Sequence, residues 1–185
     1  DFQTNTFVGT GFVLANAGSQ SADGYEFDLV ISPTENIDLA VSGLFIDPIY
    51  DSYVGAAPGD LSGTVPSNTP EDTISSTITW NYNISGWDSF LRISHLYSSK
   101  AQLLENPVHQ ALIEAQGNGY REQDTLNLTA GFEKDNLSIT LWGKNINDDE
   151  FLTSAFIGVA DLSETTFFGY PNSFKSYGLT LNYSF

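Results

Sequence analysis

Alternation of apolar and polar side chains is the dominant pattern along this chain. In the last ten residues, Tyr177, Leu179, Leu181, Tyr183 and Phe185 alternate with small or polar residues. Because successive side chains of a β-strand point to opposite faces, this segment would have one apolar and one polar face. The apolar face carries aromatic residues at both ends, which is typical of strands that cross a membrane between two interfaces.

The same alternation recurs in seven other segments. These are residues 25–31, 37–45, 74–84, 126–132 and 137–141 and, less regularly, residues 4–15 and 89–99. The pattern predicts an all-β fold of about eight strands with no long helix. Residues 108–115 are equally compatible with a short helical turn inside a loop and with irregular structure.

The connections between these segments alternate between short and long. The short ones, residues 33–36, 85–87 and 134–136, contain Pro, Asn, Asp or Gly and predict tight turns. The long ones are residues 16–23, 47–72, 100–121 and 147–172. Outer-membrane barrels have short periplasmic turns and long outer loops. We therefore expect an antiparallel up-and-down transmembrane β-barrel segment, with the long loops outside and both chain ends on the periplasmic side.

The net charge and the absence of Cys and Met limit which partners and which kinds of site this chain can have. The chain has 185 residues, no Cys, no Met, 23 acidic and six basic residues, and a formal net charge of -17. Binding to nucleic acid is not expected, because a phosphate backbone requires a basic surface. The absence of Cys excludes disulfides and thiolate metal sites. Since the sequence has neither Met nor a signal peptide, we expect a fragment or a processed product.

The sequence contains few residues in patterns typical of metal binding or catalysis. His95 and His109 are the only histidines, and neither has partners at metal-ligand spacing. The acidic residues of the long connections have no calcium-loop spacing and are read as a solvated surface. There is no Gly-x-Ser-x-Gly motif, and the Gly9-Thr10-Gly11 segment lacks the spacing of a phosphate-binding loop. We expect no catalytic residue, no metal and no cofactor, and we interpret the chain as not an enzyme.

Aromatic residues in the long connections are the candidates for ligand binding. They are Tyr50, Tyr53, Tyr120, Phe167 and Tyr170. Exposed aromatic rings often form binding platforms. The alternative is that these rings pack within the loops or touch the lipid headgroups.

Three segments resemble the C-terminal half of TonB-dependent receptors. The first is Asn16-Ala17-Gly18 followed by Gly24-Tyr25-Glu26-Phe27, and the second is Trp142-Gly143-Lys144-Asn145-Ile146-Asn147-Asp148-Asp149-Glu150-Phe151. The third is Gly169-Tyr170-Pro171 followed by the final strand and its terminal Phe185. The order and spacing of the three carry the resemblance. Asn172 stands where the family usually has Arg, and Ser173-Phe174-Lys175 lengthen the approach to the last strand.

The resemblance implies that residues 1–185 are a single C-terminal portion of a barrel of about 22 strands, without its plug domain. It implies active uptake of a scarce ligand, such as a ferric siderophore, a vitamin or an oligosaccharide, across the outer membrane of a Gram-negative bacterium. The implied partners are outer-membrane lipid, the N-terminal plug and remaining barrel strands, and the TonB complex through the N-terminal region. It also implies that the barrel assembly machinery reads the final strand, through Tyr177, Leu179, Leu181, Tyr183 and Phe185.

Two other interpretations remain open at this point. One is a complete small outer-membrane barrel of about eight strands, which would be an anchor or a narrow channel. The other is a soluble acidic β-sandwich that binds a ligand and buries its apolar face against a second sheet. The transported ligand and the oligomeric state are not determined by the sequence.

Overall fold

The computed structural model describes residues 2–8, 11–54, 59–157 and 166–185. The chain is almost entirely antiparallel β-structure, with ten described strands and one helix. In chain order these are β1 (Phe2–Val8), β2 (Gly11–Thr34), β3 (Ile37–Ser52), β4 (Asp72–Ile84), β5 (Trp87–Gln102), α1 (Pro107–Ala115), β6 (Tyr120–Lys134), β7 (Leu137–Lys144), β8 (Leu152–Ile157), β9 (Phe167–Pro171) and β10 (Ser176–Tyr183).

Eight of these strands form one sheet in the order β1-β2-β3-β4-β5-β6-β7-β10, and β8 pairs with β9 in a separate hairpin. Each strand up to β7 pairs with the next one along the chain, so the connectivity is up-and-down as predicted. Within the described residues β1 and β10 are the two edges and do not pair with each other. The prediction of an all-β, open barrel segment is therefore confirmed.

The register gives the sheet one apolar and one polar face. Leu181 pairs with Ile139, which pairs with Phe132, and beyond Ser89 in β5 the same row reaches Tyr82 in β4. The apolar row across β3, β4, β5 and β6 contains Leu39, Ile78, Ile93 and Leu128. The alternate positions are mainly Ser, Thr, Asn and Asp. Because side chains alternate with a period of two, each pairing keeps apolar groups on one side of the sheet.

The apolar face is not covered by protein. Leu181 is 62% exposed, Trp80 48% and Leu29 47%. A continuous apolar surface of this kind needs a non-aqueous neighbour, since soluble proteins rarely expose large contiguous apolar patches. The described helix is not of the length and hydropathy needed to cross a membrane.

Tight turns join the strands at one end of the sheet. The predicted turns occur at Glu35 and Asn36, at Ser85 and Gly86, and at Asp135 and Asn136. Ser85 and Gly86 both have positive φ, 54° and 83°. Two successive left-handed residues match the twist of a two-residue hairpin, and Gly adopts that conformation without steric cost.

Several boundary predictions were wrong. Residues 4–15 do not form one strand, because the chain folds back between β1 and β2 and Val8 pairs with Gly11. Residues 16–23 are not a long connection but part of β2, and Ser19 pairs with Ser52. Phe2 pairs with Gly18, which lies at the long-connection end of the sheet. The start of the chain is therefore not at the turn end, whereas Ser184 is, since its amide donates to the Asn136 carbonyl.

Candidate functional site

The connections at the end opposite the turns form the region that we call the outer cap. It comprises the described residues of 53–71, 103–119 and 145–175, with α1, β8 and β9. Most of the buried hydrophobic residues belong to this cap or to the ends of the strands beneath it. They are Pro48, Tyr50, Tyr53, Leu61, Ala101, Leu103 and Ile113. The cap is therefore packed, unlike the sheet that carries it.

The centre of this packing is a cluster of Tyr50, Tyr53 and Leu61, each less than 8% exposed. The two tyrosine rings meet edge to face at 4.9 Å. Backbone hydrogen bonds from Gly63 to Tyr50 (2.7 Å) and from Leu61 to Tyr53 (3.0 Å) fold the connection back onto the end of β3. Two of the five predicted ligand-binding aromatics thus lie inside the cap, and their role in binding stays a prediction.

Glu105 ties two connections of the cap together. Its Oε2 accepts from the hydroxyl (2.6 Å) and the amide (3.1 Å) of Ser67. Nearby, the Asn68 side chain donates to the Leu103 carbonyl (3.1 Å). Burial and the adjacent Glu105 carboxylate both raise the pKa of Tyr50 above its ordinary value. These polar contacts fix residues 103–105 against residues 67–68.

The segment 108–115, left open by the sequence, lies in helix α1. Asn106 is its N-cap and accepts from the amides of Val108 and His109, and Pro107 occupies the first turn. On the inner side Ile113 is 2% exposed. Gln110 accepts from the Leu104 amide (3.0 Å) and donates to the Gly119 carbonyl (2.5 Å). One amide side chain therefore holds both ends of this connection.

Tyr120, the third predicted aromatic, lies at the start of β6 and is 38% exposed. The Lys100 ammonium lies 3.8 Å from the centre of its ring. A hydrogen bond to Glu114 raises the pKa of Tyr120 and lowers that of Glu114. The ring is therefore already in contact with a cation of this chain, and one face of it is occupied.

Phe167 and Tyr170 lie in β9. Tyr170 is 60% exposed, and its ring lies 5.9 Å from that of Phe156 in β8. Phe156 also stacks on Phe168 at 5.3 Å. The hairpin thus carries a short aromatic ladder, and Tyr170 is the most exposed of the five predicted ligand-binding residues. Its contact with a ligand stays a prediction.

The Asn-rich motif after β7 is a structural junction. Asn145 is 3% exposed and has φ of 50°, a left-handed conformation that Asn tolerates. Its side chain donates to the carbonyls of Asp149 (2.8 Å) and Ser173 (3.0 Å) and accepts from the Asp149 amide (2.9 Å). The Asn145 amide in turn donates to the Asn127 side chain (2.9 Å). Asn145 therefore joins β6, the β7 end and the approach to β10.

Two further Asn side chains extend this junction. Asn147 accepts from the Leu126 amide (2.9 Å) and donates to the Asp124 carbonyl, so it continues the edge of β6 beyond β7. Asn172 accepts from the Phe151 amide (3.2 Å). Asn172 is the residue that stands where the family usually has Arg. In this structure its side-chain amide connects the segment that enters the β8–β9 hairpin to the segment that leaves it.

A groove lies under this junction on the polar face of the sheet, which we call the upper groove. Its volume is about 360 Å³. It is lined by Arg121, Gln123, Thr125, Asn127, Lys144, Asn145, Phe151, Thr153, Asn172 and Ser173. Alternate residues of β6 form its floor, and the chain on either side of the β8–β9 hairpin forms its wall. Sequence reasoning missed this site, although basic residues at polar alternate positions of an acidic chain were a usable signal.

A second cavity of about 540 Å³ lies on the same face near the turns. Its lining includes Asn81, Asp88, Phe90 and Glu133. It therefore contains two carboxylates and no basic residue, the opposite of the upper groove. The polar face thus has regions of opposite charge at its two ends.

The histidines and carboxylates are the side chains that could bind a metal ion or act in catalysis. In the described part of the chain, no three His, Asp or Glu side chains are grouped to hold a metal ion. His95 Nε2 lies 2.5 Å from Asp124 Oδ1, with both side chains partly exposed. They lie on the apolar face, since His95 is opposite Leu126. This pair has no third group that would complete a catalytic arrangement among the described contacts.

The five residues predicted as an assembly signal share the apolar face of β10 and the residues after it. Tyr177, Leu179, Leu181 and Tyr183 are each more than half exposed, and Phe185 is fully exposed. The Tyr183 and Phe185 rings meet edge to face at 5.2 Å near the turn end. This placement fits aromatic groups at a membrane interface, and their recognition by other proteins stays a prediction.

The open, up-and-down sheet with an uncovered apolar face, short turns at one end and a packed cap at the other defines a segment of a transmembrane-type β-barrel. No known family profile and no curated protein matches the sequence. Comparison of structures does find matches. FyuA, the ferric yersiniabactin uptake receptor from Yersinia pestis, is similar over 94% of this chain and 25% of its own, with TM-score 0.73 and 14% identity.

BauA, the ferric preacinetobactin receptor from Acinetobacter baumannii, is similar over 98% of this chain and 25% of its own, with TM-score 0.61 and 14% identity. The chain thus spans about a quarter of the length of each receptor. It shares the fold of the matching segment of these two receptors. The resemblance noted in the sequence is confirmed at the level of the fold.

Proposed function

We propose that this chain is part of an outer-membrane TonB-dependent receptor that takes up a scarce ligand such as a ferric siderophore. The observation that carries the proposal is the open eight-stranded sheet, which matches a ferric siderophore uptake receptor over 94% of the chain. The uncovered apolar face supports a location in the outer membrane of a Gram-negative bacterium, where lipid would cover it. The neighbouring structures are transport receptors, which supports a function other than catalysis.

The proposed partners follow from this function. Residues 1–185 would be one barrel portion, and the remaining strands and an N-terminal plug of the same receptor would complete it. Among the described residues, residues 20–31 of β2 pair with β3 on one side, and the pairing of β1 with β2 ends at Gly18. Further strands of the receptor would satisfy the free backbone groups of this edge, which are costly in lipid. The TonB complex would act through the N-terminal region, and the assembly machinery would read the final strand.

The two alternatives have less support. A closed small barrel needs a hydrogen-bonded ladder between its first and last strands, and the described β1 and β10 have none. A β-sandwich needs a second sheet against the apolar face, whereas the only other described sheet is the two-stranded β8–β9 hairpin.

An uptake assay tests the proposal. The full-length receptor is expressed in a Gram-negative host that lacks its own ferric siderophore receptors, and ⁵⁵Fe accumulation is measured from catecholate, hydroxamate and carboxylate chelates. We expect accumulation from at least one chelate in cells with TonB and none in cells without it. Equal accumulation with and without TonB would indicate a passive channel and contradict the proposal.

A further inference from the structure

The upper groove has a charge opposite to that of the chain around it. The sequence carries 23 acidic and six basic residues, yet two of the six, Arg121 and Lys144, line this one cavity. None of the ten lining residues is Asp or Glu. By contrast, the cavity near the turns is lined by Asp88 and Glu133. A local excess of positive charge in a strongly acidic chain favours anions at that place.

The two basic side chains are available to a ligand. Among the described residues, neither makes an ion pair or a side-chain hydrogen bond, and Lys144 only approaches the Trp142 ring, at 5.4 Å. The carboxylate of Asp149 does not line the groove, and its Oδ2 accepts from the Asp124 amide at 2.7 Å. Guanidinium and ammonium groups form short, charge-assisted hydrogen bonds to carboxylate and phosphate oxygens.

Arg121 and Lys144 lie at opposite ends of the groove. Lys144 follows Gly143, which pairs with Leu128, and Arg121 lies near the outer end of β6. The seven residues from Arg121 to Asn127 span about 20 Å of extended backbone, and the length of the two basic side chains allows their charged ends to come several ångströms closer than that. Between them the amides of Gln123 and Asn127 and the hydroxyl of Thr125 line the floor. A ligand that contacts both bases therefore needs anionic groups at separate ends of an elongated polar body.

We propose that the upper groove is a binding site for a polyanionic ligand, with Arg121 and Lys144 holding anionic oxygens at its two ends and Gln123 and Asn127 holding polar groups between them. This inference rests on the proposed uptake function and specifies the class of ligand: a polycarboxylate, polyphosphate or similarly charged chelate. A neutral chelate or a neutral oligosaccharide would leave both charges without partners.

Titration calorimetry of the purified full-length receptor tests the site, with linear tripolyphosphate as the probe and orthophosphate for comparison in magnesium-free buffer. We expect saturable binding of tripolyphosphate, about tenfold or more tighter than that of orthophosphate. The longer anion carries charged oxygens at two separated ends, which the long Arg and Lys side chains can both contact, whereas orthophosphate can contact only one base at a time. Arg121→Gln and Lys144→Gln should each weaken tripolyphosphate binding by about tenfold. Arg121→Lys and Lys144→Arg should retain most of the affinity.

Lys175→Gln is the matched control, since Lys175 is a neighbouring base that lies 3.9 Å from Asp148 and does not line the groove. It should bind tripolyphosphate like the wild type. The absence of saturable binding, unchanged binding in both Gln variants, or an equal loss in Lys175→Gln would each overturn the proposal. If one Gln variant does not fold, the other Gln variant measured against Lys175→Gln decides.

The result separates this inference from the proposed function. Binding is measured without energy input, so a receptor that binds tripolyphosphate as expected but shows no TonB-dependent uptake would keep the anion site and lose the transport function. A receptor with TonB-dependent uptake and no anion binding would keep the transport function and lose the anion site.

Discussion

The strands of the sheet, which we call the wall, and the outer cap differ in where they place their apolar side chains: the wall exposes them and the cap buries them. The strand wall, formed by β2 to β7 and β10, leaves Leu179 and Leu181 more than half exposed on its apolar face. In the outer cap, Leu61 and Ile113 are less than 4% exposed. The cap and the strand ends beneath it share a small core of the kind found in water, whereas the described apolar side chains in the middle of the wall stay exposed. The wall is therefore built for a lipid neighbour and the cap for an aqueous one, within one continuous chain.

The largest expected effect is a charge placed on the lipid side of the wall. Leu181→Arg should destabilise the folded barrel by about 2–4 kcal/mol, because a charged side chain near the middle of the membrane loses its hydration. Thr180→Arg, one residue away on the polar face, should cost clearly less. Urea titrations of the full receptor folded into lipid vesicles give both values. Equal costs would mean that the two faces of β10 are assigned wrongly.

A comparable but local effect is expected in the cap. Leu61→Ala should destabilise the packed connection by about 2–4 kcal/mol, the usual cost of truncating a buried Leu. Because the wall does not depend on this core, hydrogen exchange should accelerate in residues 59–71 and 103–119 and stay unchanged in β6 and β7.

Val54→Ala is the control for this experiment, since Val54 is 70% exposed. It should leave hydrogen exchange in the cap unchanged. Faster exchange throughout β6 and β7 in Leu61→Ala would show that wall and cap unfold together and that the distinction between them does not hold.

The junction between wall and cap should respond to loss of Asn145. Asn145→Ala removes the side chain that donates to the Asp149 and Ser173 carbonyls and accepts from the Asp149 amide. The Asp149 carbonyl keeps its bond from the Asn172 side chain, so three hydrogen bonds are lost but the junction is not emptied of contacts. The expected cost is about 1–3 kcal/mol. Proteolysis should then cleave the approach to β10 faster than in the wild type, while the strands keep their protection. An unchanged cleavage rate would assign Asn145 no part in holding the junction.

A smaller thermodynamic effect is expected from deletion of Phe185. Loss of one interfacial aromatic removes about 1–3 kcal/mol of burial, which is modest for a large barrel. If the assembly machinery reads the final residue, insertion should fall far more than this cost implies. The readout is the heat-resistant folded fraction in outer-membrane preparations. An unchanged fraction would remove the proposed signal role and leave the barrel assignment intact.

The sequence predicted the wall better than the cap, for a physical reason. Alternation in residues 74–84 and 126–132 directly reflects the two environments of a strand, and turn residues such as Ser85 and Gly86 are set by local backbone conformation. Residues 16–23 were predicted as a loop because Asn, Gly and Ser are poor strand formers. They form part of β2 because pairing with β1 up to Gly18 and with β3 from Ser19 onward satisfies their backbone groups whatever their side chains are.

The cap was less predictable because its structure depends on contacts between distant segments. Tyr50 and Tyr53 were predicted as ligand platforms from their place in a long connection, and no local pattern shows that Leu61 and Glu105 pack around them. The upper groove likewise forms only when residues 151–153 and 172–173 cross β6. Its charge could have been noticed in the sequence, but its shape could not.

The central claim is that the wall crosses the outer membrane with the turns inside and the cap outside, and surface labelling tests it most directly. Asp60 in the cap and Asp135 in a turn are both exposed, and the chain has no natural Cys. Asp60→Cys and Asp135→Cys are introduced singly into the full receptor, and intact cells are treated with a membrane-impermeant maleimide. The account predicts labelling at residue 60 and none at residue 135 until the outer membrane is permeabilised. Labelling of residue 135 in intact cells, with residue 60 protected, would contradict it.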